Sequence, residues 1–455
     1  MNFKLFVLSA AVLAAMTACG EDDPKPEIEP PTVENLSGEV SGVWEKNSVI
    51  KVSGHITVPE GESLVIEEGV QVIFDSNGVG ATHTPIEFIV DGNLYCRGTE
   101  ANPILLSVDE SERTEANAMA GLWGGIVATE TCEEVLFDHA IIEYTGGLVM
   151  QDSPSAVRGI YTPGDDLGPQ FTSVNVDGRY VIVNSTLRYG ASDAVYLMGG
   201  SAIIKDNIFA GNGADGGEAV NVKAGCKVDV SGNIMYSPNT NGLKLSSSGQ
   251  NDEGGRAQAE VRAYNNTIIN AGWRRDGTKG GGIYVEKNAL VSVFNNLIVN
   301  CKFKAMTPSW EMPNDPEEGM ASASVIDYNF YVSGSAESTL DQDIENGTTT
   351  SYLGYTLPND KISPSIDLHS IVSASAGDDA TDPLFVNFPY DTNPLTSFVY
   401  DDAWDFHVQA GSPVLSGAYA GSDSNMQPFF LGGLSVGGTT YVSSAPQAHF
   451  GAFGE

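Results

Sequence analysis

Positive charge is scarce in this chain. Its 455 residues carry 22 Lys and Arg against 59 Asp and Glu, a formal net charge of −37. A surface so acidic repels nucleic acid, anionic lipid headgroups and polyuronates, so nucleic acid is excluded as a partner. Cysteine is sparse too. Beyond Cys19 there are only Cys96, Cys132, Cys226 and Cys301. They stand singly in apolar contexts with no CxxC step, which predicts buried free thiols and no disulfide framework. After the first residues no apolar run is long enough to cross a bilayer as a helix, so a transporter role falls away. No stretch of a dozen residues keeps a capped 3.6-residue period, so helices are expected to be few. The chain also lacks a Gly-x-Ser-x-Gly elbow, a phosphate-binding Gly-rich loop, a dinucleotide fingerprint and a zinc-spaced His/Cys set.

What is present begins with an address. Lys4 precedes the apolar run Leu5–Ala15, which is too short to span a membrane and leads through small residues to Cys19. That is the layout of a secretory signal. Met16-Thr17-Ala18-Cys19 resembles the bacterial lipobox, in which the Cys is lipidated and becomes the new N-terminus. Acyl chains there would anchor the protein to a membrane, each buried CH₂ contributing about 0.8 kcal/mol. The following Gly20-Glu21-Asp22-Asp23 resembles the acidic export tag of surface lipoproteins of the Bacteroidetes group. The resemblance implies residues 1–18 as signal peptide and an outer-membrane lipoprotein facing outward. Residues 19–36, with the Pro- and Glu-rich Pro24–Val33, are expected to form an extended tether.

A short phrase then recurs: Asn184-Ser-Thr-Leu187, Asp206-Asn-Ile-Phe209, Gly232-Asn-Ile-Met235, Asn265-Asn-Thr-Ile-Ile269, Asn295-Asn-Leu-Ile298 and Tyr328-Asn-Phe-Tyr331. Its Asn residues at 184, 207, 233, 266, 296 and 329 are spaced by 23, 26, 33, 30 and 33 residues. A period in the low twenties, stretched by insertions, marks a solenoid. Between Ser37 and Val108, runs of β-branched residues alternate with Gly turns, as strands do. Each coil of such a solenoid leaves an apolar face for its neighbours to cover, so inward positions take Val, Ile, Leu and Phe. The repeated Asn tolerates a left-handed turn, and stacked amides bond one another. Asn207, Asn233, Asn266 and Asn296 are therefore expected to form a structural ladder.

The phrases Ile89–Leu106 and Gly121-Leu-Trp-Gly-Gly-Ile-Val127 resemble the opening rungs of bacterial right-handed parallel β-helices. Asp382-Pro-Leu-Phe-Val-Asn387, Asp405–Gly417 and His449-Phe-Gly-Ala-Phe453 resemble closing rungs of the pectate-lyase-like superfamily. The resemblance implies an all-β, single-stranded right-handed parallel β-helix with few helices. It would run over residues 37–334, with residues 335–455 as irregular C-terminal rungs and a cap. Insertions break the period near 150–179, 249–258 and 306–320. Loops from one edge of a solenoid commonly build its binding face.

The chemistry is less legible. Polygalacturonases of that superfamily carry a Gly-His-Gly step and an Arg-Ile-Lys step, and none of the six histidines lies in one. Asp165 and Asp166 form an adjacent acidic pair that could serve acid/base hydrolysis, although their Gly and Pro neighbours read as a solvated turn. Lyases of the fold use an Arg or Lys base with Ca²⁺ held by carboxylates. Candidate Ca²⁺ donors are Asp165, Asp166 and Asp177, or Asp252 and Glu253; candidate basic residues are Arg274 and Arg275. Trp273 and Trp310 lie in Gly- or Pro-rich insertions and are candidate sugar platforms, whereas Trp44, Trp123 and Trp404 are expected to pack. Three readings follow. One is a non-enzymatic surface lipoprotein binding an extracellular glycan or a partner outer-membrane protein. The others are a polysaccharide lyase or glycoside hydrolase, and an adhesin for host or matrix.

Overall fold

Every strand that repeats along the chain pairs in parallel with the strand one coil before it and the strand one coil after it. In the computed structural model the described residues are 31–455 except 253–254, 276–279, 304, 309–318, 336–340, 344–347 and 350–366. Each coil supplies three short strands. A first face stacks Gly125–Ala128, Phe171–Ser173, Val195–Leu197, Val220–Val222, Leu243–Ser246 and Ile283–Glu286. A second stacks Glu134–Asp138, Arg179–Val183, Gly200–Lys205, Cys226–Ser231, Glu260–Tyr264 and Leu290–Phe294. A third stacks Ala140–Glu143, Thr186–Arg188, Ile208–Ala210, Ile234–Tyr236, Thr267–Ile269, Leu297–Val299 and Phe330–Val332. Near the N-terminal end the long strand Val49–Val58 turns a corner, pairing with Gln71–Phe74 on the third face and Glu87–Val90 on the first. The first pairs belong to Thr32–Glu39, which lies on Val49–Val58, so the expected tether gives way to strand at Thr32.

Alternation explains which side chains go inside. In Gly200–Lys205 the side chains of Ala202 and Ile204 enter the core, and Ile203 points outward. The core runs the length of the solenoid and includes Trp123 stacked on Phe74 at 3.9 Å. The four cysteines are buried and unpaired, as expected of small apolar fillers.

The Asn phrase marks a corner. The residue preceding each ladder position has positive φ: Asn184 52°, Asp206 59°, Asn265 50°, Asn295 55° and Tyr328 53°, with Gly232 at 70°. Asn184 therefore shapes the turn rather than joining the ladder, whose equivalent place is Ser185. The next residue inward is buried, and its amide bonds the next coil. Asn207 Nδ2 donates to Asn233 Oδ1 at 3.0 Å, Asn233 to Asn266 at 2.9 Å, Asn266 to Asn296 at 2.9 Å and Asn296 to Asn329 at 3.0 Å. The ladder thus includes the four expected residues and one more. A second column of positive φ closes the third face at Tyr189, Gly211, Ser237, Asn270 and Asn300. In Asn265-Asn-Thr-Ile-Ile-Asn270 a three-residue strand is bracketed by both corners, which is why the phrase is so compact.

The C-terminal segment departs from expectation. Ile371–Val372 is the last rung among the described residues, pairing with Phe330–Val332. From Phe385 onward the chain makes antiparallel hairpins, Phe385–Asn387 with Asp405–Val408 and Leu434–Val436 with Thr439–Tyr441. These residues are not rungs. They lie along the outside of the solenoid, because its second and third faces present apolar side chains outward and need cover. Phe385, Phe388, Tyr400 and Phe406 pack on Ile234, Tyr236, Ile269 and Leu297 of the third face. Leu434 and Val436 pack on Leu136, Val181 and Ile203 of the second. Polar side chains fasten this strap. Asn295 donates to the carbonyls of Tyr419 and Gln447, both at 2.9 Å, and accepts from the Tyr419 N–H at 2.7 Å. Asp229 accepts from the N–H groups of Phe429 and Phe430 and the Ser443 hydroxyl.

Candidate functional site

The first face is dressed differently. Its outward positions, one per coil, are Thr172, Tyr196, Asn221, Lys244 and Tyr284, aligned by strand register. At a strand spacing of about 4.8 Å, Tyr196 and Tyr284 stand roughly 14 Å apart along the stack. Among the described residues, the strap's packing and hydrogen bonds go to the other two faces and their corners.

Loops wall both edges of this face. The stretch from Thr145 to Gln170 rises before Phe171–Ser173 and folds over the preceding coils. Ser155 pins it, donating through its N–H and its hydroxyl to the buried Glu87 carboxylate at 2.7 and 2.6 Å. Burial raises the Glu87 pKa above the usual range, the Ser155 bonds opposing. Arg158 pairs with Asp91 at 2.8 Å, and Thr84 donates to Asp152 at 2.6 Å. The Tyr161 and Thr172 hydroxyls bond at 2.6 Å, so the covered part ends there and the face opens at Tyr196. The insertion expected at 150–179 therefore ends near Gln170, since Phe171–Ser173 is a regular rung. The second insertion leaves the opposite edge of the same face, between Leu243–Ser246 and Glu260–Tyr264. The third, expected near 306–320, begins on Met306–Pro308, a strand of this same face, and its residues 309–318 lie outside the described residues. The first two flank one face.

At the mouth of the first loop lies a cleft of about 240 Å³ lined by Tyr161, Asp165, Asp166, Asp193, Tyr196 and Gly217. One wall is the Gly213–Gly217 turn, where a Cβ at Gly213 would collide with the Gly216 carbonyl. Asp193 is buried and accepts from the Glu218 N–H at 2.7 Å and the Asn221 amide at 2.9 Å. Burial, then the neighbouring Glu218 charge, pushes the Asp193 carboxyl well above the usual range. Asp193 therefore retains a proton where ordinary carboxylates are ionised. Glu218 accepts from the Asn241 amide at 3.2 Å, and Asn221 Oδ1 is buried without a partner.

Two cations occupy the other edge. The Lys223 ammonium sits 5.5 Å from the centre of the Tyr196 ring, and the Lys244 ammonium 5.9 Å from that of Tyr284. Lys244 pairs with Glu286 at 3.4 Å. Burial, then repulsion from Lys244, holds the Lys223 ammonium below its usual pKa.

The residues singled out from sequence divide. Asp165 and Asp166 do meet in the cleft, on a turn in which Asp166 accepts the Thr162 N–H at 2.6 Å. Asp177 lies beyond the other end of the Phe171–Ser173 strand, in a turn made by Asn175. Asp252 is exposed in a turn of the second insertion. Glu253 and Trp310 lie outside the described residues, as does Cys19. Among the described residues no three His, Cys, Asp or Glu side chains group to hold a metal ion, so the described Ca²⁺ donors do not form one site. Arg274 is a staple: its guanidinium donates to the carbonyls of Gly213 at 2.7 Å and Ser237 at 3.0 Å, tying successive turns together. Burial lowers its pKa to about 10. Arg275 follows it, partly buried. Trp273 is partly buried, its indole N–H bound to the Asn300 carbonyl, so it packs on the corner. Trp123 is buried, Trp44 packs on the core, and Trp404 belongs to the strap's aromatic cluster.

Sequence reasoning missed Tyr196, Asn221, Lys244 and Tyr284. A signal existed in the triplets Val195-Tyr-Leu197, Val220-Asn-Val222, Leu243-Lys-Leu245 and Ile283-Tyr-Val285, each a polar or aromatic residue between two apolar ones. Residues 170–313 match the family model described as the right handed beta helix region. The fold is a right-handed parallel β-helix. No curated protein and no solved structure matches the chain.

Proposed function

We propose that this protein is a surface-exposed outer-membrane lipoprotein whose β-helix binds extracellular carbohydrate along the open first face. One contrast carries the reading: two faces are sealed with apolar cover, and the third keeps aligned Tyr, Asn and Lys side chains between two loop walls. Tyrosine rings at intervals along a polar groove suit pyranose rings, whose C–H faces stack on aromatics while hydroxyls bond polar neighbours. The test is titration of the purified protein against a glycan array, with Tyr196→Ala and Tyr284→Ala beside Trp273→Ala. Binding weakened by the two Tyr variants and spared by the Trp variant supports the site; absence of binding to any glycan defeats it. The address rests on Met16-Thr-Ala-Cys19 and is tested by Cys19→Ser, which should release the protein from the membrane fraction.

Glycoside hydrolysis is the second reading, favoured by the proton-retaining Asp193 beside Asp165 and Asp166. A general acid with a raised pKa and an ionised carboxylate across a cleft are the parts such hydrolysis uses. New reducing ends from a bound glycan, lost in Asp193→Asn, would establish it.

A further inference from the structure

We propose that Asp215-Gly216 is a site of spontaneous backbone isomerisation, which rebuilds one wall of the cleft as the protein ages. The reaction needs an Asp followed by an amide nitrogen that is free and uncrowded. That nitrogen attacks the side-chain carboxyl carbon. A C–N bond forms, and the carboxyl OH departs with the amide proton as water, leaving a succinimide ring. Water then opens the ring. Cleavage of the C–N bond at the side-chain carbonyl restores Asp. Cleavage at the α-carbonyl routes the main chain through the side-chain carbon, adds one methylene to its path and leaves the α-carboxylate as the side group. Glycine hinders the attack least, because it has no Cβ.

Asp-Gly and Asn-Gly steps recur in this chain, and the fold protects the others among the described residues. The N–H groups of Gly78, Gly92, Gly178 and Gly213 are held by the carbonyls of Asp75, Val58, Asn175 and Gly190 at 3.2, 3.0, 3.2 and 2.8 Å. The Asp91 carboxylate is also bound by Thr129 and Arg158. In Asn241-Gly242 the amide is tied at both ends, to Glu218 and to the Gly281 N–H. Asp215 stands apart. It is exposed, and neither its carboxylate nor the Gly216 N–H has a partner. The backbone gives no reason for glycine at 216. Gly213 and Gly217 have φ of 88° and 121°, which favour glycine, and a Cβ at Gly213 would meet the Gly216 carbonyl. Gly216 lies outside that region, and a Cβ there would meet nothing within 4 Å. The turn is fixed at both ends, by the Gly213 N–H and by the Gly217 carbonyl, which accepts from the Thr240 N–H at 3.0 Å. An added methylene therefore displaces the exposed residues between them, beside the Glu218 N–H that holds Asp193.

The experiment holds the purified protein at neutral pH and body temperature for several weeks. It is then digested with trypsin, and isoaspartate is located by electron-transfer fragmentation, which distinguishes the two linkages. Isoaspartate should accumulate at 215 several-fold faster than at 91 or 177. Deamidation at Asn212, in the same tryptic peptide Asp206–Lys223, should lag behind it. Gly216→Ala, which the open space accepts, should slow the reaction at 215 several-fold and leave the melting temperature unchanged. Absence of isoaspartate at 215, equal accumulation at 91, 177 and 215, or an undiminished rate in Gly216→Ala overturns the proposal. Hydrogen exchange over the same peptide should quicken in aged wild type and not in aged Gly216→Ala. Equal exchange in the two overturns the claim that the cleft wall is rebuilt.

Discussion

The strapped faces and the open face of this solenoid are all built from short parallel strands stacked coil on coil, yet their outward residues differ in kind. On the third face Ile234, Tyr236, Ile269 and Leu297 look outward and are covered by Phe385, Phe388 and Phe406. On the first face the outward places hold Tyr196, Asn221, Lys244 and Tyr284. An apolar outward residue requires cover, and the C-terminal segment provides it. A polar one can face water, and there the chain leaves room for a ligand. The strap and the groove are two consequences of one choice, made coil by coil at the outward positions of each strand.

The sharpest way to break that contrast is to remove cover. Phe406→Ala, deleting a buried ring that packs 5.0 Å from Phe388, should cost about 3–5 kcal/mol. It should expose residues 385–455 to protease while the solenoid keeps its far-ultraviolet dichroism. Asn295→Ala strands the Tyr419 N–H and two carbonyls, and should cost about 3 kcal/mol by denaturant titration. Glycan affinity should hold in both variants wherever the chain remains folded; a parallel loss would mean that the two regions are not separable. On the open face the pattern reverses. Tyr196→Ala should lower affinity by about tenfold yet change stability by less than about 1 kcal/mol, read by calorimetry and thermal unfolding. The smallest effect belongs to Asp193. Its folded pKa is raised, so the folded state keeps a proton that the unfolded chain releases above about pH 3.9, and stability falls as pH climbs from there toward the raised value. Asp193→Asn removes that slope. The variant should gain on the wild type as pH increases through this window, and parallel melting curves at all pH values would contradict the proton retained on Asp193.

Much of the scaffold was legible because its signals are local. An Asn at a left-handed corner and an amide stacked in a ladder are properties of two consecutive residues, so Asn265-Asn266 and Asn295-Asn296 announce both. The groove was not legible in the same way. Asp193 is unremarkable in sequence and retains its proton only because the fold buries it beside Glu218 of the next coil. Arg274, the most reactive-looking candidate, turned out to be consumed by the carbonyls of earlier turns. Trp273 was likewise consumed by its own corner. The C-terminal phrases looked like rungs because they alternate apolar residues with turns, and a strap lying on an apolar sheet needs that same alternation.

By itself the sequence determined a coiled stack of short strands, the corners that join them and the side chains that fill their interior, because period and turn chemistry act between near neighbours. Only the tertiary structure decided which face stays open, which loops border it and which charges meet there. Those relations join residues a coil or more apart, and they exist only once register has set one coil upon the next.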